Sequence, residues 1–163
     1  MGASIIQERA TGLQKLLWTK NIKPVQDWAY LNFRAGELFK LAWKKNESNA
    51  SKPEREDLIL LRQHGLVTHL VKVLDYKPER EKGSGDWNIY RVVEVIWSSA
   101  NSESSTYKAD EIFGYPEVLT YQGGSVMRLQ ELPTFNKAWS TKGGISGFQD
   151  RIASLLLSSE LAS

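Results

Sequence analysis

The strongest constraint on the fold is a pair of apolar runs that are separated by only two residues. Residues 57–74 place segments rich in Leu, Ile and Val on either side of His64-Gly65. A short connection that contains a glycine favours a tight β-hairpin over a long helix. The sequence therefore predicts two antiparallel strands at the centre of the molecule.

A third strand is predicted over residues 87–97. Its two faces alternate, with Ile89, Arg91, Val93, Val95 and Trp97 on one and Asn88, Tyr90, Val92, Glu94 and Ile96 on the other. Both faces carry enough apolar side chains for a central position in a small sheet or barrel.

The remaining segments predict helices and loops around that sheet. Helices are predicted over 5–18, 24–42, 108–113 and 145–157. For the first of them, a helix that leads into a strand is the alternative, and Gly36 divides the second. The helix at 145–157 is amphipathic and closes the chain. Polar stretches with helix breakers or clustered charges predict loops at 46–53, 76–86 and 98–106, and a late strand is predicted over 125–132.

Length and composition indicate one domain. The chain has 163 residues, of which 41% are hydrophobic and 25% charged, and a chain of this size can bury a substantial core. No apolar run approaches the ~20 residues that span a bilayer, and the N-terminus lacks the pattern of a secretory signal. We therefore expect a single domain over 1–163 in the cytoplasm, without a membrane partner.

The charge distribution is uneven. Residues 1–45 contain eight Lys or Arg and three acidic residues, a balance of +5, whereas the rest of the chain contains 13 and 16, a balance of −3. A basic segment is suited to following phosphates, because neutralising them releases bound counterions. A solvated helix face is the alternative interpretation.

No catalytic motif stands out. The glycine-containing segments lack the features of a phosphate-binding loop, a nucleophile elbow or a dinucleotide fingerprint. The chain has no cysteine, and its two histidines, His64 and His69, lack further ligands nearby, so neither a zinc site nor another metal site is expected. A nuclease built from Asp57, Asp75, Glu94 and Lys72 is a minor alternative. The expected protein is not an enzyme and needs no cofactor.

The segment 43–97 resembles the PUA-like superfamily, particularly its EVE and YTH-like branch. The resemblance rests on an acidic residue that opens an apolar strand, the His64-Gly65 turn, a Val-rich return strand that ends in an acidic loop, and a further strand with Trp and alternate Val. Trp43 and two lysines precede Glu56-Asp57, where that branch often has Gly-Asp. The resemblance implies an α+β fold in which a small mixed or antiparallel β-barrel is flanked by helices, both N-terminal helices and the C-terminal one. It also implies nucleic-acid binding, in some members with a modified or flipped base in an aromatic pocket.

Six tryptophans supply candidates for such a pocket. Stacking on an aromatic ring contributes about 1–3 kcal/mol per base, which offsets much of the cost of flipping it. Trp43 and Trp87 adjoin polar loops and are the best candidates for accessible rings, although packing over the barrel end is the alternative for both. Trp28 and Trp97 have the spacing of core residues, and Trp18 and Trp139 are undecided.

Two functional hypotheses follow. In the first, Trp43 and Trp87 stack on a base of DNA or RNA, with hydrogen bonds to its edge from Arg62, His64 and Asn88 and phosphate contacts from Lys20, Lys23, Lys44 and Lys45. This hypothesis predicts steep salt dependence. In the second, the chain is a recognition domain of a larger defence or signalling protein, and its aromatic face and C-terminal helix bind a protein partner through an exposed apolar patch.

Overall fold

The computed structural model describes residues 13–22, 30, 32–82, 86–99 and 107–157. Several sequence-based predictions lie wholly or partly outside these ranges: the first helix over 5–12, the second helix over 24–29 with the core position of Trp28, the phosphate contact of Lys23, and the loops over 83–85 and 100–106.

The described residues form a curled sheet and several short helices. The strands are β1 (Leu16–Asn21), β2 (Leu38–Trp43), β3 (Leu58–Gln63), β4 (Leu66–Val73), β5 (Glu79–Arg80), β6 (Ile89–Ser98) and β7 (Val126–Arg128). They are ordered β2-β6-β4-β3-β1-β7, and β5 also pairs with β6. Only β1 and β3 run parallel among the strand pairs in the described ranges. The architecture is a mixed half-barrel in an α+β fold.

The predicted hairpin is confirmed. β3 and β4 pair antiparallel with Gln63 opposite Leu66, which leaves His64-Gly65 as a two-residue turn. Both turn residues have positive φ, 55° for His64 and 76° for Gly65. This is the type I′ geometry, whose twist matches that of the strands it joins. The third predicted strand is also confirmed as β6, and its neighbours are β2 and β4.

Most helices of the described residues come after β6 in the sequence. The helices are α1 (Glu47–Ala50), α2 (Ala109–Phe113), α3 (Pro133–Trp139) and α4 (Gly144–Ile152), which continues as a π-helical turn over Ala153–Leu157, with 3₁₀ turns at Pro116–Thr120 and Leu129–Glu131. The predicted closing helix is therefore confirmed as α4. The predicted strand at 125–132 is shortened to β7 and a 3₁₀ turn, and α1 lies inside the predicted loop at 46–53.

The helix predicted over 24–42 is wrong in its described part, where β2 is a strand, whereas β1 is consistent with the alternative in which the segment 5–18 leads into a strand. In β2, Phe39, Leu41 and Trp43 are buried, whereas Leu38 and Lys40 are exposed. This alternation has a period of two, but the apolar residues at 38, 39 and 42 also fit helical spacing. Pairing with β6 decides the outcome, because tertiary contacts override weak local preference.

The sheet separates two apolar cores. The inner core lies on the concave face and contains Trp18, Ile22, Phe39, Leu41, Trp43, Ala50, Ile59, Leu61, Val71, Val73, Ile89, Val93, Val95 and Val126. The outer core lies between the other face and the C-terminal helices, and it includes Leu58, Leu60, Phe113, Phe135, Trp139, Phe148, Ile152 and Leu156. Residues that alternate along a strand therefore reach different cores.

Candidate nucleic-acid interface

A cavity of about 280 Å³ lies at one end of the half-barrel. Its lining residues are Trp43, Lys44, Asn46, Trp87, Gly124 and Ser125, and we call it the tryptophan pocket. The register of the sheet explains why its two tryptophans meet. Trp43 ends β2 opposite Ile89, and Trp87 stands two residues before Ile89 in the antiparallel neighbour. The pairing therefore brings both rings to the same barrel end.

The two tryptophans differ in exposure. Trp43 is only 1% exposed, and its Nε1 donates a hydrogen bond of 2.8 Å to Oδ1 of Asn49. The expectation of an accessible Trp43 is therefore corrected, because its ring packs in the inner core and reaches the cavity only as part of its lining. Trp87 is half-buried and forms the more accessible wall.

Lys20 lies behind the two rings. It is 1% exposed, and its Nζ is 4.8 Å from the ring centroid of Trp43 and 5.8 Å from that of Trp87. The same Nζ donates a hydrogen bond of 2.6 Å to the carbonyl oxygen of Gly124. Burial lowers the pKa of Lys20 to about 7, so charged and neutral forms coexist near neutral pH. Lys20 is not among the residues that line the tryptophan pocket, and its burial keeps it away from the surface phosphates predicted for it.

Gly124 sets the width of the tryptophan pocket. A Cβ atom at this position would lie 3.0 Å from Cη2 of Trp87. Such a contact is tighter than nine in ten real Cβ contacts, so a side chain at this position would require the Trp87 ring to move by a few tenths of an ångström. Sequence reasoning treated Gly123-Gly124 as turn residues before the strand predicted over 125–132 and missed this contact. The available signal was a Gly-Gly-Ser step ahead of a short apolar segment.

The rim of the tryptophan pocket carries exposed charge. Lys44 and Lys45 are exposed, and Nζ of Lys44 lies 3.9 Å from a carboxylate oxygen of Asp86. Asn88 is half-buried and its carbonyl oxygen accepts a hydrogen bond from the backbone N–H of Glu81. Asn88 is not among the residues that line the pocket. Lys44 and Lys45, for which phosphate contacts are predicted, are thus exposed beside the pocket, whereas Asn88, for which a base contact is predicted, does not line it.

Arg62 and His64 line a different cavity of about 380 Å³, which we call the arginine pocket. The sheet register explains the division. Lys20 shares the inner face with Trp18 and Ile22, whereas Arg62 shares the outer face with Leu58 and Leu60. The segment 121–125 separates the two pockets, since Tyr121 and Gln122 line the arginine pocket and Gly124 and Ser125 line the tryptophan pocket. The structure therefore brings together Trp43, Trp87, Lys20 and Lys44 but places Arg62 and His64 apart from them.

The acidic residues of the nuclease alternative have structural partners. Oδ2 of Asp57 accepts hydrogen bonds of 2.9 Å from Nε1 of Trp18 and from the backbone N–H of Glu54. Asp75 pairs at 2.6 Å with Nε of the fully buried Arg91. Within the described ranges, no group of three or more His, Asp or Glu side chains is arranged to hold a metal ion. These carboxylates stabilise the fold at positions away from both pockets.

Among the described residues, no helix combines the length and apolar character needed to cross a membrane.

Comparisons with known proteins add little to the interpretation of the two pockets. No family model matches the chain, and no curated protein matches it. One solved structure, protein Atu2648 from Agrobacterium tumefaciens, is similar at a TM-score of 0.47 and 14% sequence identity, over 77% of this chain and 92% of that one. The functional assignment of either pocket therefore depends on this chain's own residues.

Proposed function

We propose that this protein is a nucleic-acid-binding module that takes a single base into the tryptophan pocket. The observation that carries the proposal is the convergence of Trp43, Trp87 and the amine of Lys20 at one barrel end. Two aromatic rings beside a polar group that can exchange a proton suit a flat, polar heterocycle.

The size of the pocket favours one base. Small-molecule sites range from about 300 to 1,000 Å³, and the tryptophan pocket, at about 280 Å³, lies just below that range. Stacking on the half-buried Trp87 contributes about 1–3 kcal/mol. Unstacking a base from a duplex costs a few kcal/mol. We therefore expect single-stranded or already flipped bases to bind better than paired ones.

Polar groups around the rings supply recognition of the base edge. Asn46, Gly124 and Ser125 line the pocket beside the rings, and Lys20 Nζ lies directly behind this lining, where it donates to the Gly124 carbonyl oxygen. A neutral Lys20 amine can both donate and accept a hydrogen bond, whereas its ammonium form only donates. This set of groups is suited to distinguishing a base from its modified form, because a methyl group changes the shape of the base and, where it replaces an N–H hydrogen, also removes a donor.

The exposed lysines at the rim support contact with a phosphate backbone. Lys44 and Lys45 follow Trp43 directly, so a strand whose base enters the pocket passes close to them. Each phosphate they neutralise releases counterions, and binding should weaken as salt rises.

The protein-interaction alternative receives less support. The apolar face of α4, which that hypothesis assigned to a partner, is covered by the outer core, where Phe148, Ile152 and Leu156 are fully buried. The exposed large hydrophobic residues in the described ranges lie on separate elements: Leu38, Tyr76, Leu119 and Leu155. Single exposed residues of this kind are normal on a protein surface.

The test is a binding panel of short single-stranded and duplex DNA and RNA, with unmodified and methylated bases, at two salt concentrations. Trp87→Ala is the informative variant, because Trp87 is half-buried, whereas Trp43→Ala would also remove a core side chain. Tyr76→Ala is the matched control, since Tyr76 is an aromatic residue with 82% exposure outside both pockets.

We expect salt-sensitive binding that Trp87→Ala weakens by about tenfold, in line with the loss of one stacked base. Tyr76→Ala should bind as the wild type does. Absence of binding to every member of the panel at low salt, with the protein folded, would reject the proposal and favour a protein-interaction module.

A further inference from the structure

Arg62 is a buried cation with neutral partners. It is 3% exposed and stands near the end of β3 on the outer face. Its Nε donates to Oγ1 of Thr19 at 2.9 Å, and its Nη1 donates to the carbonyl oxygen of Tyr121 at 3.0 Å and more weakly to that of Val118. Each of these acceptors is uncharged.

The third nitrogen of Arg62 is unpartnered. Across the described part of the chain, Nη2 is the one buried side-chain nitrogen or oxygen atom without a hydrogen-bond partner. Burial lowers the pKa of Arg62 to about 10, so the guanidinium stays charged at neutral pH. Proteins seldom bury a charge without an opposite charge or a full set of hydrogen bonds. The arrangement therefore points to a group that the protein binds.

The surroundings of Arg62 are suited to an anion. The arginine pocket has a volume of about 380 Å³ and is lined by Asn21, Arg62, His64, Gly65, Ala109, Leu119, Tyr121 and Gln122, with no carboxylate among them. Leu119 and Gln122 are exposed at its margin. Nη2 itself is covered, so a ligand reaches it only after neighbouring side chains move.

The engaged nitrogens narrow the class of anion. A planar carboxylate binds a guanidinium best through two parallel N–H bonds from two nitrogens. Each edge of the guanidinium that can offer two parallel N–H bonds pairs Nη2 with Nε or with Nη1, and both of these nitrogens already donate to protein acceptors. A tetrahedral anion has oxygens that point in several directions, and it can accept from Nη2 while it contacts Asn21 and His64 on other walls.

We propose that the arginine pocket binds a phosphate group, either free, on a small ester or on a nucleic-acid strand, with Nη2 of Arg62 as the principal donor. The inference is independent of the tryptophan pocket, since the two pockets share no lining residue.

The experiment titrates inorganic phosphate into ¹⁵N-labelled protein at constant ionic strength, with chloride as the comparison salt. The backbone amides of Gly65 and Gln122 and the Nε–H of Arg62 report on the pocket. Gln122→Glu places a negative charge at the exposed margin without altering the core. Gln130→Glu is the matched control, because it makes the same change at an exposed site away from the pocket.

We expect saturable shifts at the three reporters with phosphate but not with chloride. Gln122→Glu should weaken phosphate binding by at least about tenfold, because it removes the electrostatic preference for an anion, and Gln130→Glu should bind as the wild type does. Shifts that do not saturate, or that equal those with chloride, would overturn the proposal, as would unchanged binding in Gln122→Glu.

Additional titrations with the same reporters identify the source of the phosphate. Adenosine 5′-monophosphate should shift the same reporters, whereas adenosine should not. If a short oligonucleotide competes with phosphate at these reporters, the group belongs to a strand; if it does not, a small phosphorylated ligand is assigned. Trp87→Ala separates this inference from the proposed function, since it should remove base binding and leave the phosphate titration unchanged.

Discussion

The side-chain amide of Asn49 makes both main-chain hydrogen bonds of Val126. Oδ1 of Asn49 accepts from the N–H of Val126 at 2.7 Å, and Nδ2 donates to its carbonyl oxygen at 2.9 Å. The same Oδ1 also accepts from Nε1 of Trp43. Because an amide carries the donor and acceptor of a peptide group, Asn49 acts as a neighbouring strand for the edge of β7. One side chain thereby links both edge strands of the half-barrel beside the tryptophan pocket.

Asn49→Asp should lower the free energy of unfolding by about 2–4 kcal/mol. The carboxylate keeps the acceptor but loses the donor to Val126, and it buries a negative charge. Urea unfolding monitored by tryptophan fluorescence measures the change. Asn136→Asp is the control, because Asn136 is exposed and a surface substitution of this kind shifts stability by about 0.5 kcal/mol or less. Equal effects of the two substitutions would contradict the role assigned to Asn49.

Gly124→Ala should weaken base binding without removing any polar group. The added methyl group would lie 3.0 Å from the Trp87 ring, which must shift by a few tenths of an ångström and thereby changes the shape of the pocket wall. Gly123→Ala is the matched control, since a Cβ atom there meets nothing within 4 Å. The measurement is the oligonucleotide affinity of both variants, with Trp87 fluorescence as a report on ring position. If both alanines bind as the wild type does, Trp87 does not shape the binding surface.

Because of Lys20, the free energy of unfolding should rise with pH between about 7 and 10.5. The pKa of Lys20 is about 7 in the folded protein, whereas a lysine in the unfolded chain has its ordinary pKa of 10.5. Between these two values the unfolded chain therefore binds more protons than the folded protein. The contribution is on the order of 3–5 kcal/mol over the whole window. Unfolding of the wild type and Lys20→Met at several pH values tests this, because the variant should lose that part of the slope. Parallel pH profiles would show that Lys20 does not titrate as described.

His69 should make stability fall as pH decreases from about 6.5 to 4. Its Nε2 donates to the carbonyl oxygen of Tyr30 at 3.0 Å, and its Nδ1 lies 2.9 Å from Oγ1 of Thr68, from which a neutral ring accepts. Burial lowers the pKa of His69 to about 4. In that window the unfolded chain binds the extra proton, and the loss amounts to about 3 kcal/mol.

The readout for this prediction is acid unfolding of two variants that carry the same substitution. His69→Asn should flatten the dependence over this range, although it also removes a buried ring. His64→Asn should leave the slope unchanged, because His64 is exposed in the hairpin turn, where asparagine tolerates positive φ. A wild-type slope in His69→Asn would reject the assignment.

The local sequence pattern was sufficient to predict those elements whose residues contact each other over a few positions in the chain. The hairpin at His64-Gly65 and the closing helix α4 were predictable because turn chemistry and amphipathic spacing act within a few residues. β1 and β2 were not predictable in the same way. Their apolar residues fit a helix as well as a strand, and only pairing with the distant β3 and β6 selects the strand.

The candidate site shows the same division. The sequence by itself determined the residue types for the proposed base-binding pocket: Trp43 and Trp87 beside polar loops, and lysines near the first of them. Tertiary structure decided which of those residues meet. Antiparallel register joins the two tryptophans, and strand alternation sends Lys20 to one face of the sheet and Arg62 to the other. Register depends on contacts between residues far apart in the chain, and burial, which sets the pKa of Lys20 and leaves Nη2 of Arg62 without a partner, exists only once those contacts form.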